Sequence, residues 1–129
     1  MDILTRHRTV GTSLVVQVLS PVGPDHRAAR TREIDRLVGA YAPTVLVIEL
    51  LPEAATTAAV SAVLRLQRHG GELRIPVAVA TRVGAVRHLI RANSPSMPVH
   101  AEVGDALWAA RILGAVVDEA GGTVSAELP

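Results

Sequence analysis

Thr56 and Thr57 are the two hydroxyls of this chain best placed to do chemistry. They follow a short segment, Leu51–Ala55, that leaves the end of the apolar run Thr44–Leu50, and they precede a helical pattern starting at Ala58. The first N–H groups of a helix have no partner inside the helix, and its dipole favours negative charge there. A Thr at that point suits two tasks. It can accept a phosphate or touch an anion, or it can cap the helix by taking a backbone N–H on its own oxygen. Glu53 is the charged residue of the segment, suited to a partner contact or to the dipole. Between Leu51 and Ala58 there is no Cys, His, Lys, Gly or Ser.

Other reactive patterns are missing from the sequence. The five histidines (His7, His26, His69, His88 and His100) lack the i,i+4 or HExxH-like spacing that a metal needs. There is no cysteine, hence no thiolate, disulfide or Cys nucleophile. No G-x-S-x-G elbow, dinucleotide glycine motif or P-loop occurs. No enzyme activity, metal or cofactor is therefore expected. Arg82, Arg87 and Arg91, with Arg74 nearby, form a possible basic ridge. Nucleic-acid surfaces combine such ridges with aromatic stacking platforms. This chain has one Trp, one Tyr, no Phe and a formal net charge of +1, so the ridge reads as a solvated helix face. All 13 basic residues are Arg.

The elements that must hold the threonines in place read as alternating strands and helices. Ile3–Thr9 mixes apolar residues with Arg and His, as an exposed edge strand does. Val10-Gly11-Thr12 turns it into the β-branched run Ser13–Ser20, a buried strand paired to it as a hairpin. Asp25 is a candidate helix cap. Arg30, Ile34, Leu37, Val38 and Tyr41 recur at helical spacing and end before Pro43. Thr44–Leu50 reads as a strand buried on both faces. The helix from Ala58 to His69 turns Ala59, Val60, Val63, Leu64 and Leu66 inward and Ser61, Arg65 and Arg68 outward, with Gly70-Gly71 as its cap. Leu73–Ala80 is the next strand, and its Pro76 implies an edge position or a bulge. Thr81 caps a short helix with Val83, Val86, Leu89 and Ile90 inward, ended by Asn93–Ser96. Met97–Ala101 is a short strand.

The last helix, about Val103–Ala120, is apolar on too many sides for a simple core stripe. Leu107, Trp108, Ile112 and Val116 point one way, and Ala106, Ala110, Leu113 and Val117 another. Either the helix is sandwiched, or Trp108, Ile112 and Val116 form a self-association face.

The 129 residues, 49% hydrophobic, suit a single domain over residues 1–120 with a loose tail over 121–129. Strands alternating with helices, opened by a hairpin, predict an α/β fold. Its sheet is mixed, of four to five strands, with about four helices mainly on one face. The N-terminus lacks the apolar stretch of a signal peptide, and no run reaches the length of a membrane span. A cytoplasmic location is expected.

In order and spacing the chain resembles the STAS domain family, which includes the anti-sigma factor antagonists. The resemblance spans roughly residues 5–117 and rests on Val47-Ile48-Glu49-Leu50, the helix to Gly70-Gly71, Leu73–Val77, Val86–Ile90 and Met97-Pro98-Val99. In that family an Asp-Ser-x-Gly-type motif opens the helix after the acidic-Leu strand. Counted from Glu49-Leu50, the family's Asp falls on Thr57, its phosphorylated Ser on Ala58 and its Gly on Val60. Ala58 cannot accept a phosphate, and a slip of one residue would bring Thr57 to that position.

The resemblance implies a non-enzymatic regulator. Its partner-binding residues would be Glu53, Thr56, Thr57, Ala58 and Ser61, its phospho-acceptor candidates Thr57 and Thr56, and its partner an anti-sigma factor of the serine-kinase type. Phosphorylation, adding about −1.5 to −2 charges, would break that complex. Two alternatives stand beside it. One is an assembly module forming a homodimer through the last helix. The other is a sensor binding an anion or nucleotide at the Ala58 helix start.

Overall fold

The computed structural model describes residues 5–21 and 27–121. Six strand-forming residues, Thr5–Val10 (β1), turn at Gly11-Thr12 into Ser13–Val18 (β2). Gly11 takes a φ of 61°, which glycine reaches without a Cβ clash. The chain then runs through α1 (Arg27–Tyr41), β3 (Val45–Leu50), a single 3-10 turn at Pro52–Ala54 and α2 (Thr57–Leu73). It continues through β4 (Val77–Thr81), α3 (Gly84–Asn93), β5 (Val99–His100) and α4 (Val103–Gly121). Asp25 and the tail from Gly122 lie outside the described residues.

The sheet has five strands in the order β1-β2-β3-β4-β5. β1 is antiparallel to β2, and the other pairs are parallel. The expected hairpin and mixed sheet are therefore present. The strand order never reverses, so crossovers of one hand place α1, α2 and α3 on one face. Alternate strand residues divide accordingly. Leu14, Val16, Leu46, Ile48, Leu50, Val77 and Val79 pack with Ile34, Leu37, Val60, Val63, Val86 and Ile90 from those three helices. Val15, Val45, Val47, Ala78 and Ala80 face the other way, onto Ala106, Leu107 and Ala110 of α4. Alanines on both sides of that second contact bring the helix close to the sheet. At Gly114 an added Cβ would come within 3.1 Å of the Pro76 ring.

β1 is an open sheet edge. Arg6, His7, Arg8 and Thr9 along it are exposed, and charge on an edge discourages pairing with another chain. Arg30 is buried on α1. It donates to Ser20 Oγ and to the Pro21 carbonyl, both at 3.2 Å. Burial lowers its pKa, and the guanidinium remains a cation.

Several local readings need correction. Gly70-Gly71 does not end α2, which runs on to Leu73 and is capped by Arg74 in the left-handed region, at φ 60°. Gly70 is required by packing instead: a Cβ there would meet the Ile75 carbonyl oxygen and Val77 Cγ2, each at 2.8 Å. Pro76 marks neither edge nor bulge. It lies just before β4, an interior strand, and its carbonyl accepts the Leu46 N–H at 2.9 Å. Thr81 is the last residue of β4 and not the cap of α3. That cap is Val83, whose N–H donates to Thr81 Oγ1 at 3.3 Å. Met97–Ala101 shrinks to the two-residue β5. Tyr41, placed on the apolar spacing of α1, is 48% exposed and accepts or donates a hydrogen bond with His7 Nε2 at 3.1 Å.

Candidate functional site

The segment after β3 is held by its own backbone. The Leu51 N–H donates to the Val18 carbonyl at 3.3 Å, and the Ala54 N–H to the Leu51 carbonyl at 2.8 Å. The Ala55 and Thr56 N–H groups donate to the carbonyls of Pro52 and Ala54. Ala54 is fully buried and pins the turn to the core, while Glu53 projects into solvent. Proline at the first position of the turn has its φ already fixed.

The two threonines are not equivalent. Thr56 is the N-cap of α2, in extended conformation at φ −117° and ψ 167°. Its Oγ1 accepts the Ala59 N–H at 3.2 Å, and the residue is half-buried. Thr57 is the first helical residue and is exposed. Ala58 is half-buried, and Ser61 is exposed one turn on. Ala59 and Val60 turn into the core. Of the expected partner-binding residues, Glu53, Thr57 and Ser61 are thus exposed, the latter two on one side of α2. Arg65 and Arg68 extend the outward line of Thr57 and Ser61 along α2.

A second feature adjoins the start of the loop, at Leu51 and Pro52, and no sequence pattern points to it. A cleft of about 490 Å³ opens at the carboxyl ends of β3 and β4, beside the start of α4. Arg8, Glu49, Arg82 and Glu102 are its charged lining. Glu49 accepts from Gln17 Nε2 at 3.2 Å, and Arg8 stands 3.9 Å away. Arg82 pairs with Glu102 at 3.0 Å. Each guanidinium thus has a carboxylate beside it, and the cleft carries no excess charge. Gln17 and Glu49 are register partners on β2 and β3, which only the sheet pairing makes visible.

The supposed basic ridge is dispersed. Arg82 is paired with Glu102, Arg87 donates to the Thr81 carbonyl and Arg91 to the Val99 carbonyl, each at 2.8 Å for the latter two. Among the described residues no cluster of His, Cys, Asp or Glu can hold a metal. No helix among them is long and apolar enough to cross a membrane.

On α4, the grouping expected from spacing is redrawn. Leu107 is buried with Ala106 and Ala110, whereas Trp108 is 66% and Ile112 45% exposed. Over residues 103–114, where the side chains are described, the helix is covered on one side. The Val116 side chain lies outside the described residues.

One solved structure of like fold is the RsbS protein of Moorella thermoacetica, in a serine-to-glutamate variant. The TM-score is 0.68 at 14% sequence identity, covering 86% of this chain and 97% of that one. RsbS is a STAS-domain protein, and the likeness shows that this chain has the STAS fold. No family model matches the sequence, and no curated protein matches it.

Proposed function

We propose that the chain is a non-enzymatic regulatory module of the STAS type. It docks a protein partner through Leu51–Val60 and the exposed start of α2, and it lacks the serine on which such modules are usually switched. The observation that carries the reading is the division of labour between neighbours at one helix start. Thr56 is spent on the cap, Ala58 stands half-buried without a hydroxyl, and Thr57 faces solvent. Glu53, Thr57 and Ser61 offer polar contacts around that point.

The partner is an anti-sigma factor of the serine-kinase type. A phosphate on Thr57 would add about −1.5 to −2 charges on the docking surface and repel an acidic partner or break a tight fit. With Ala58 in the acceptor position, the module binds constitutively unless Thr57 takes over. The site contains no nucleophile with a base beside it, which is what covalent catalysis requires. An anion sensor at the same helix start is less well supported, because the Thr56 hydroxyl already takes the Ala59 N–H that an anion would use.

The test is binding between the purified chain and the anti-sigma factor encoded in its own genome, read by calorimetry. Binding that is lost in Thr57→Glu and Ser61→Arg but kept in Arg74→Gly supports the reading. Absence of binding by the unaltered chain, or equal binding by the loop variants, overturns it.

A further inference from the structure

The chain has only two aromatic residues apart from histidine, and neither is in the core. Tyr41 is engaged with His7, but Trp108 stands 66% exposed on the outer side of α4, with Ile112 one turn further along and 45% exposed. A Trp offers a large apolar area, and such residues act as anchors at interfaces. Asp105 and Arg111, both exposed, flank Trp108 at equal distances along the helix, one on each side. Gly104 and Ile112 flank it in the same way.

We propose that this face binds a second copy of the chain, with the two α4 helices packed antiparallel about a two-fold axis at Trp108. In that arrangement residues equally far from Trp108 on its two sides come to the same height. Asp105 then faces Arg111 of the second copy, and the pairing is made twice. Ile112 lies over Gly104 of the second copy, where no side chain stands and an added Cβ would meet nothing within 4 Å. The two Trp108 rings meet at the centre. A parallel pair would instead set Asp105 against Asp105 and Arg111 against Arg111, which is repulsive. The charges, the gap and the apolar anchor therefore select one self-complementary pairing, as an isologous interface requires. The contacts of Arg111 with the Val10 carbonyl at 3.4 Å and Ser13 Oγ at 3.3 Å both run through Nη2. A guanidinium has five N–H donors, so these contacts do not exhaust it.

A favourable placement of Asp105 at the start of α4 accounts for that residue alone. It leaves Trp108 and Ile112 bare. Trp108 stands on the α4 side of the sheet, away from α2, while Gly104 lines the cleft that Leu51 and Pro52 also line.

Sedimentation of the full chain over a range of concentrations tests the proposal, together with the emission of its single Trp. The expected result is a shift from monomer to dimer, with Trp108 emission moving to shorter wavelength as the ring leaves water. Trp108→Glu and Gly104→Arg should remove the dimer and leave circular dichroism, and the urea midpoint at dilutions where the parent is monomeric, unchanged. Asp105→Arg and Arg111→Asp should each be monomeric alone, and an equal mixture of the two should recover dimer. A chain monomeric at every concentration with constant emission overturns the proposal. So does a Gly104→Arg chain that dimerises like the parent, or a mixture of charge variants that stays apart. Emission that shifts only when the anti-sigma factor is added assigns the face to that protein and equally overturns self-pairing.

Discussion

Thr56 Oγ1 lies 3.2 Å from the Ala59 backbone nitrogen and accepts its N–H, whereas the next hydroxyl, on Thr57, is exposed at the first helical position. Adjacent residues of identical chemistry are thereby given different tasks, one holding the helix and the other facing the surroundings. Replacing each separately should reveal this. Thr56→Ala is expected to lower stability by about 1 kcal/mol, the usual cost of a lost cap, and Thr56→Ser to restore most of it. Thr57→Ala should stay within about 0.5 kcal/mol of the parent, as exposed substitutions do. Urea unfolding of the three variants measures both.

The same division decides where a phosphate would go. A kinase needs an exposed hydroxyl that it can extract from local bonding, and Thr57 meets that requirement where Thr56 does not. Incubation with the cognate serine kinase followed by mass spectrometry should place any added phosphate on Thr57. Thr57→Ala should abolish it and Thr56→Ala should leave it. A phosphate on Thr56 would contradict the assignment.

Gly70 and Gly71 make a sharper pair. An added Cβ at Gly70 would meet the Ile75 carbonyl oxygen and Val77 Cγ2 at 2.8 Å, while Gly71 has nothing within 4 Å. Gly70→Ala should therefore cost about 1–3 kcal/mol, the range for forcing atoms into a packed site. Gly71→Ala should stabilise by about 0.5–1 kcal/mol, because alanine is the better helix former. Opposite shifts in thermal midpoint are the expected readout.

Arg74 closes α2 at φ 60°, where a Cβ is strained and glycine is at ease. Arg74→Gly should raise stability by roughly 0.5–1 kcal/mol, with the gain limited by the greater freedom of glycine in the unfolded chain. Chemical denaturation at neutral pH tests this, and a loss of stability would show that the arginine side chain contributes more than its backbone costs.

The strands and the place of the loop are legible in the sequence because they depend on local pattern. Ser13–Val18 and Val45–Leu50 are apolar runs with β-branched residues, and both are buried strands. The failures have a common origin in distant packing. Gly70-Gly71 obeys every local rule for a helix stop, yet Gly70 is there because Ile75 and Val77 come back against it. Pro76 looks like an edge residue until β5 is seen lying beyond β4. Leu107 groups with Ile112 by spacing alone, whereas the single helix on its face of the sheet turns it inward with Ala106 and Ala110. The cleft at Glu49 was invisible for the same reason. Gln17 and Glu49 are far apart in sequence and become neighbours only through the register of β2 with β3.

The sheet separates its two sets of helices, with α2 on one face and α4 on the other. Substitutions at Thr57 and at Trp108 share no contacts across it, so their effects on stability should simply add.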